Sequence, residues 1–297
     1  MTIDPFDPRL TPARADIAAD FLEAEIEAPK YVKGEPCRVV RGTLSVREAP
    51  ETAARQSTEL LFNERFIVYE RRDGWAWGQN QTDGYVGYVR EEGLGADTDA
   101  PYSNEIQTLR SYVFPEPGLK SIPLDMLHLS TRVRVTEESG KYSRIDYGPE
   151  GGDGGGWIYT PHLCELSEVE PDYLSTAELF MGAPYGWGGR SSFGLDCSAL
   201  VQLALARAGI TAPRDSDMQE AAIGEIVDGG LDAAAPGDLL FTAGHVMFLA
   251  EPGILLHANG HHMAVAYEAL TDFMDRTKDM DIPIRTIRRL PEIPAEE

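Results

Sequence analysis

The spacing of apolar positions divides the chain into regions of different character. Residues 1–33 are punctuated by proline and then turn helix-like. Thr11 can cap, Pro12 sits at a first helical position, and a helix over Ala15–Ile26 is predicted. Such a helix would serve as a clasp between domains or fill a surface groove. From residue 34 to 100 the pattern becomes short alternating runs with Gly and Asp turns, CRVVRGTLSVREAP, ELLFNERFIVYERRDGWAWGQ and DGYVGYVREEGL. That alternation predicts a small all-β barrel. Residues 101–169 repeat it. Pro50, Phe66 and Trp75 fall 67 residues before Pro117, Val133 and Tyr142, and Gly87, Tyr88, Val89 and Leu94 fall 69 before Gly156, Trp157, Ile158 and Leu163. The slip is assigned to the glycine-rich loop Gly151–Gly156, and a repeat of this size implies two copies of one domain.

From residue 170 onward the pattern changes again. Glu170-Pro171-Asp172 reads as a linker and Ser175–Met181 as a helix. The stretch PYGWGGRSSFGLDCSALVQLALARAG then predicts a glycine-rich turn running into an apolar helix that ends at Gly209. A further helix is expected after Asp215 or Ser216 as cap. Strands are predicted over Asp238–Ala250, Ile254–Ala258 and Met263–Ala266, then a polar helix over Glu268–Thr277 and a last strand over Pro283–Arg289. Helices followed by an antiparallel sheet make residues 170–297 an α+β domain.

Cys197 falls at the start of the apolar helix, where unpaired N–H groups and a partial positive charge favour a thiolate and should lower its pKa. His245 leads one predicted strand and His257 ends the next. A nucleophile, a base and a polar residue that orients the base need this order of parts. The rival chemistry is a metal site built from His257, His261 and His262 with Cys197. Their spacing is not that of a zinc helix motif, and His261 and His262 follow Gly260 in a turn, so no metal and no cofactor is expected.

The net charge of −23 repels phosphate backbones and anionic membranes, which argues against nucleic-acid and membrane partners. No apolar run approaches the length of a membrane span. The N-terminal stretch lacks the basic-then-apolar layout of a secretion signal, so a cytoplasmic location is expected. Three cysteines, Cys37, Cys164 and Cys197, do not form a paired framework, and a reducing compartment suits a thiol enzyme.

The ordered motifs DCSALVQ, GDLLF…GHVMFL and LLHA resemble the NlpC family of bacterial cell-wall cysteine peptidases over about Asp172 to Leu290. Residues 34–100 and 101–169 resemble bacterial SH3-like barrels, the second more weakly. The resemblance implies two small all-β SH3-like barrels followed by an α+β papain-like cysteine peptidase domain. It makes Cys197 the nucleophile, His245 the base, His257 the third member and Tyr185 an oxyanion donor. Ala199 departs from the glycine many members carry after Cys-Ser, without expected harm in a helix.

This domain layout resembles enzymes that cut γ-D-glutamyl–diamino acid bonds of peptidoglycan stem peptides. The resemblance implies substrate contacts from Asp196, Ser198, Asp215 and Ser216, with Glu48 and Tyr85 from the first barrel. Carboxylates converging on one free ammonium would make short, strong hydrogen bonds. Asp196 and Asp215 could instead simply cap helices. The first barrel is then expected to wall off one end of the cleft and restrict it to short free peptides, as recycling requires. The alternative is an exported wall hydrolase whose barrels grip peptidoglycan. Peptidoglycan-derived peptides are the expected partners.

Overall fold

The computed structural model describes residues 6–97, 100–148 and 155–291. The chain divides into two compact units, residues 4–168 and residues 169–297. Among the described residues, no helix is long and apolar enough to cross a membrane.

The N-terminal segment does not form the predicted helix over Ala15–Ile26. It makes only a two-residue strand, Ala18–Ala19, paired with Tyr31–Val32, and a single 3-10 turn at Asp20–Leu22. The backbone N–H groups of Ala18 and Ala19 go to the carbonyls of Lys30 and Pro12, not to residues four back. A lone helix this short is marginal in water. The segment instead buries Ile17, Ala19 and Leu22 against Tyr69 and Trp77 of the adjoining sheet. Arg14 completes the strap: it lies 4.4 Å over the Trp77 ring and donates to the Tyr88 hydroxyl and the Glu70 carboxylate. The segment is a strap packed on the adjoining sheet.

That sheet has seven strands in the spatial order Gln56–Leu61, Thr43–Arg47, Val86–Arg90, Trp75–Asn80, Arg65–Arg72, Glu35–Val39, Leu94–Ala96. Its alternation delivers Val39, Val46, Leu60, Phe66, Ala76 and Val89 to one core. Asp73 and Gly74 both take positive φ, 51° and 77°, as a tight hairpin between twisted strands demands.

The described residues of 100–168 form three smaller antiparallel sheets around Ile106, Val113, Leu127, Val133, Ile145 and Ile158, with Phe62 reaching in from the first sheet's end. Val133 and Ile158, found by the repeat, are both core residues. Of the loop assigned to the slip, Gly151–Gly154 lies outside the described residues. The two β regions are tied by polar contacts. Asn63 Nδ2 donates to the Arg132 carbonyl at 3.0 Å, and Asp125 accepts from the Gly42 N–H at 2.7 Å.

The C-terminal unit begins with α1 (Tyr173–Glu178), capped by Asp172, whose side chain accepts from the Ser175 N–H. Helix α2 (Cys197–Arg207) follows, and Gly209 closes it at φ +74°. Leu200, Val201, Leu203 and Leu205 on α2 are buried, each contributing about 1.5–3 kcal/mol over an exposed side chain. Helix α3 spans Ser216–Ala222. A six-stranded antiparallel sheet has the order Glu225–Ile226, Thr286–Arg289, Leu239–Thr242, His245–Glu251, Ile254–Asn259, Ala264–Ala269. The last of these strands runs three residues past its predicted end. Glu268, expected on a helix, is therefore a strand residue, and α4 starts only at Leu270 (Leu270–Thr277). Helix α1 likewise stops at Glu178, short of the predicted Met181.

Candidate active site

The start of α2 is held by a buried ion pair. Asp196 occupies the cap position and its Oδ1 accepts from the Ala199 N–H at 2.9 Å. Arg214, fully buried, forks onto the same carboxylate with contacts of 2.9 and 2.7 Å. Oδ2 also accepts from the Gly188 N–H, and the Ser198 hydroxyl donates to Oδ1 while accepting from Arg214. Gln219, also buried, donates to the carbonyls of Ser198 and Pro213. Gly188 takes φ +70°, and a Cβ at Gly189 would come within 2.2 Å of the Gly194 carbonyl. Only glycine lets this turn close over Asp196.

Cys197, the first residue of α2, is almost wholly buried. The backbone N–H of Val246, the residue after His245, lies near enough to favour the Cys197 thiolate, which sets the nucleophile against the strand that carries the base. Burial and then the negative charge of Asp196 push the thiol up to about 12, against the pull of the Val246 and Ser198 N–H groups and Arg214. The expectation of a lowered cysteine pKa is corrected here. Desolvation and a neighbouring carboxylate outweigh the helix terminus, and the resting sulfur is a protonated thiol.

His245 and His257 lie on adjacent strands with Nε2 and Nδ1 2.9 Å apart. Register explains the next partner. His257 pairs with Ala266, and Glu268 is two residues further along on the same face. His257 Nε2 is 3.1 Å from Glu268 Oε2, close enough for an ion pair but out of line for a hydrogen bond. Arg276, on α4, grips both Glu268 oxygens at 2.6 and 2.8 Å. Phe273 lies parallel to His245 and edge-on to His257, beneath the Arg276 guanidinium.

Burial would raise the Glu268 carboxyl, but Arg276 and then His257 bring it below its ordinary value, so it is ionised and can only accept. Burial lowers His245 to about 4 and His257 to about 3, and both are neutral at pH 7. The Glu268 charge 3.1 Å from His257 Nε2 favours the ring proton on that nitrogen, and Nδ1 then accepts from His245 Nε2–H. The lone pair of His245 is thereby fixed on Nδ1, ready for a thiol proton.

Among the other expected residues, Tyr185 is half-buried. Burial, and then the charge of Cys197, raises its pKa, which keeps the phenol a donor. Both oxygens of Asp196 and the Ser198 hydroxyl are engaged as described, so neither offers the open acceptor that was expected. Asp215 holds the cap position of α3 with no capping hydrogen bond from its side chain, and Ser216 is that helix's first residue. Glu48 and Tyr85 belong to the N-terminal unit. Glu48 is exposed at a hairpin end, 3.6 Å from Arg55, and Tyr85 is buried just before Val86–Arg90. Sequence reasoning missed Arg214, Gln219 and Arg276, and saw Glu268 only as part of a polar helix. A charged residue inside the loop ITAPRDS carries no pattern that marks it as buried.

Residues 182–279 match the NlpC/P60 family and residues 46–94 the bacterial dipeptidyl-peptidase Sh3 domain. The chain carries an NlpC/P60 cysteine peptidase domain behind a bacterial SH3 domain. It is 24% identical to the gamma-D-glutamyl-L-lysine dipeptidyl-peptidase of Bacillus subtilis, over 72% of this chain and 76% of that protein. It is 34% identical to dipeptidyl-peptidase 6 of Lysinibacillus sphaericus, over 35% of this chain but only 38% of the relative. An NlpC/P60 family protein from Bacillus cereus shares the fold, with a TM-score of 0.74 at 18% identity, covering 88% of this chain and 100% of its own.

Proposed function

We propose that this NlpC/P60 protein is a cysteine endopeptidase that hydrolyses the γ-D-glutamyl–L-diamino acid bond of short peptidoglycan stem peptides with a free N-terminal L-alanine. The observation that carries the reading is the pair His245–His257, 2.9 Å apart and backed by Glu268, on the strand whose Val246 N–H lies by the Cys197 thiol. The names of the Bacillus relatives support the bond type.

In this reading His245 Nδ1 takes the thiol proton as Sγ attacks the γ-carbonyl carbon. The Cys197 N–H and the Tyr185 hydroxyl donate to the oxyanion. His245 then protonates the leaving amine, and a thioester remains on Cys197. Water attacks the thioester, its proton returns through His245 to sulfur, and the dipeptide acid is released.

Within the C-terminal unit the substrate's ammonium is read by Asp215 and Ser216, at the start of α3. A requirement for a free amino terminus favours recycling of released peptides over cutting intact wall. We also read residues 101–169 as a second SH3-like barrel, on the strength of the repeat and its separate core, and residues 170–297 as papain-like. The nucleophile on a helix start with its base on an antiparallel sheet supports the latter.

The test incubates the chain with L-Ala-γ-D-Glu-L-diaminopimelate and with its L-lysine counterpart, read by mass spectrometry. Release of L-Ala-D-Glu that is abolished in Cys197→Ala supports the reading. Intact peptides, or equal turnover by the variant, overturn it. N-acetylating the substrate should lower kcat/KM by at least about 100-fold, the worth of a lost charge-assisted contact of roughly 3 kcal/mol.

A further inference from the structure

Beside the nucleophile, on the far side of His257, sits a second constellation. Ligand-capable atoms of His257, His262 and Glu268 all lie within 4.8 Å of one another. Two imidazoles and a carboxylate are a donor set that suits zinc. His257 Nε2 is buried and makes no aligned hydrogen bond, although Glu268 Oε2 is only 3.1 Å away. Two ligands at about 2.0–2.1 Å from one tetrahedral ion would stand roughly 3.3 Å apart. The buried pair thus already has nearly the spacing of two ligands on one metal.

His262 supplies the third arm with its tautomer set. The Asn259 Oδ1 accepts from the His262 backbone N–H at 2.8 Å, which identifies it as the oxygen, and it lies 3.0 Å from His262 Nδ1. Nδ1 therefore carries the ring proton and Nε2 the lone pair, the arrangement by which a neighbouring amide orients a metal-ligating histidine. The His262 side chain is exposed and gives an ion a route from solvent. Arg276 on Glu268 opposes the ion, so the site should bind and release it reversibly.

We propose that His257, His262 and Glu268 form an inhibitory zinc site that switches the peptidase off by reversing the tautomers of its histidine pair. The ion displaces the proton of His257 Nε2 to solvent, and the His245 Nε2 proton passes across the hydrogen bond to His257 Nδ1. A proton taken up from solvent settles on His245 Nδ1, so both rings stay neutral with one proton each. His245 then has no lone pair on Nδ1 to offer Cys197. The inhibition rests on the peptidase reading above. The binding does not.

The experiment titrates Zn²⁺ into full-length Cys197→Ala by calorimetry, so that the nucleophile cannot be the ligand. One ion should bind, and adding His262→Ala or His262→Gln should weaken it at least tenfold with melting temperature unchanged. Co²⁺ in the Cys197→Ala protein should show visible d–d bands without thiolate charge transfer. In otherwise unmodified enzyme, His262→Ala should keep its turnover and need at least tenfold more Zn²⁺ for half inhibition. The same Zn²⁺ affinity with and without His262, or no binding once Cys197 is removed, overturns the proposal whether or not the peptide substrate is cut.

Discussion

Arg214 and Asp196 form a two-pronged, buried ion pair, with contacts of 2.9 and 2.7 Å, at the step before the nucleophile. The guanidinium has no exposure at all and the carboxylate side chain only 12%. Neither could be tolerated there alone. The pair ties the loop before α3 to the cap of α2, and so fixes the direction in which Cys197 leaves the helix.

Removing one partner should therefore cost far more than an ordinary surface pair. Arg214→Met leaves Asp196 buried without its counter-charge and is expected to destabilise the C-terminal unit by about 3–5 kcal/mol. Urea unfolding followed by tryptophan fluorescence would read this. A midpoint within error of the parent would show that the pair does not hold the site.

Glu268 acts on the chemistry through His257. Glu268→Gln should lower kcat by about 10- to 100-fold with KM little changed, the usual cost of losing an orienting partner. The effect should appear in pre-steady-state acylation. A change confined to KM would instead place Glu268 in substrate binding.

The raised thiol pKa and the lowered imidazole pKa give a pH signature. Alkylation of Cys197 in the free enzyme by iodoacetamide should keep rising from pH 7 to 10, about tenfold per unit, because the thiolate fraction is still growing. The acid limb of kcat/KM should lie well below pH 6.5, since His245 stays neutral down to about 4. A rate of alkylation already constant at pH 7 would mean a resting thiolate–imidazolium pair.

Stability should fall on the acid side for the same reason. His128, His245 and His257 are buried and lowered to about 4, 4 and 3, all by burial first. Their unfolded forms bind protons near pH 6.5, the folded forms do not, and so the unfolded chain holds more protons between those values. Stability is full above about pH 6.5 and declines as pH falls toward 4. Thermal melting across that range checks the sign, and a melting temperature that rises on acidification would contradict it.

Much of this site was legible in one dimension. Asp196-Cys197-Ser198 before an apolar run marks a helix start, and His245 and His257 stand on runs such as HVMFLA and ILLHA that could only be strands. The lone proline-flanked helix over Ala15–Ile26 was misread, because its apolar residues fit two descriptions. Ile17, Ala19 and Leu22 sit as well against Tyr69 and Trp77 from an irregular strap as from a helix. Glu268 was misplaced because its strand continues to Ala269 through pairing with Ile254, a contact no local window contains.

The sequence by itself determined which side chains carry the chemistry and which elements present them, since periodicity and capping act between near neighbours. Only the tertiary structure decided their protonation. Whether Cys197 rests as thiol or thiolate depends on how deeply it is buried and on Asp196. Which nitrogen of His245 is basic depends on Glu268, brought across the sheet by strand register. Electrostatic energies in a buried site are set by distance and dielectric, and both come into being only when the chain has closed around them.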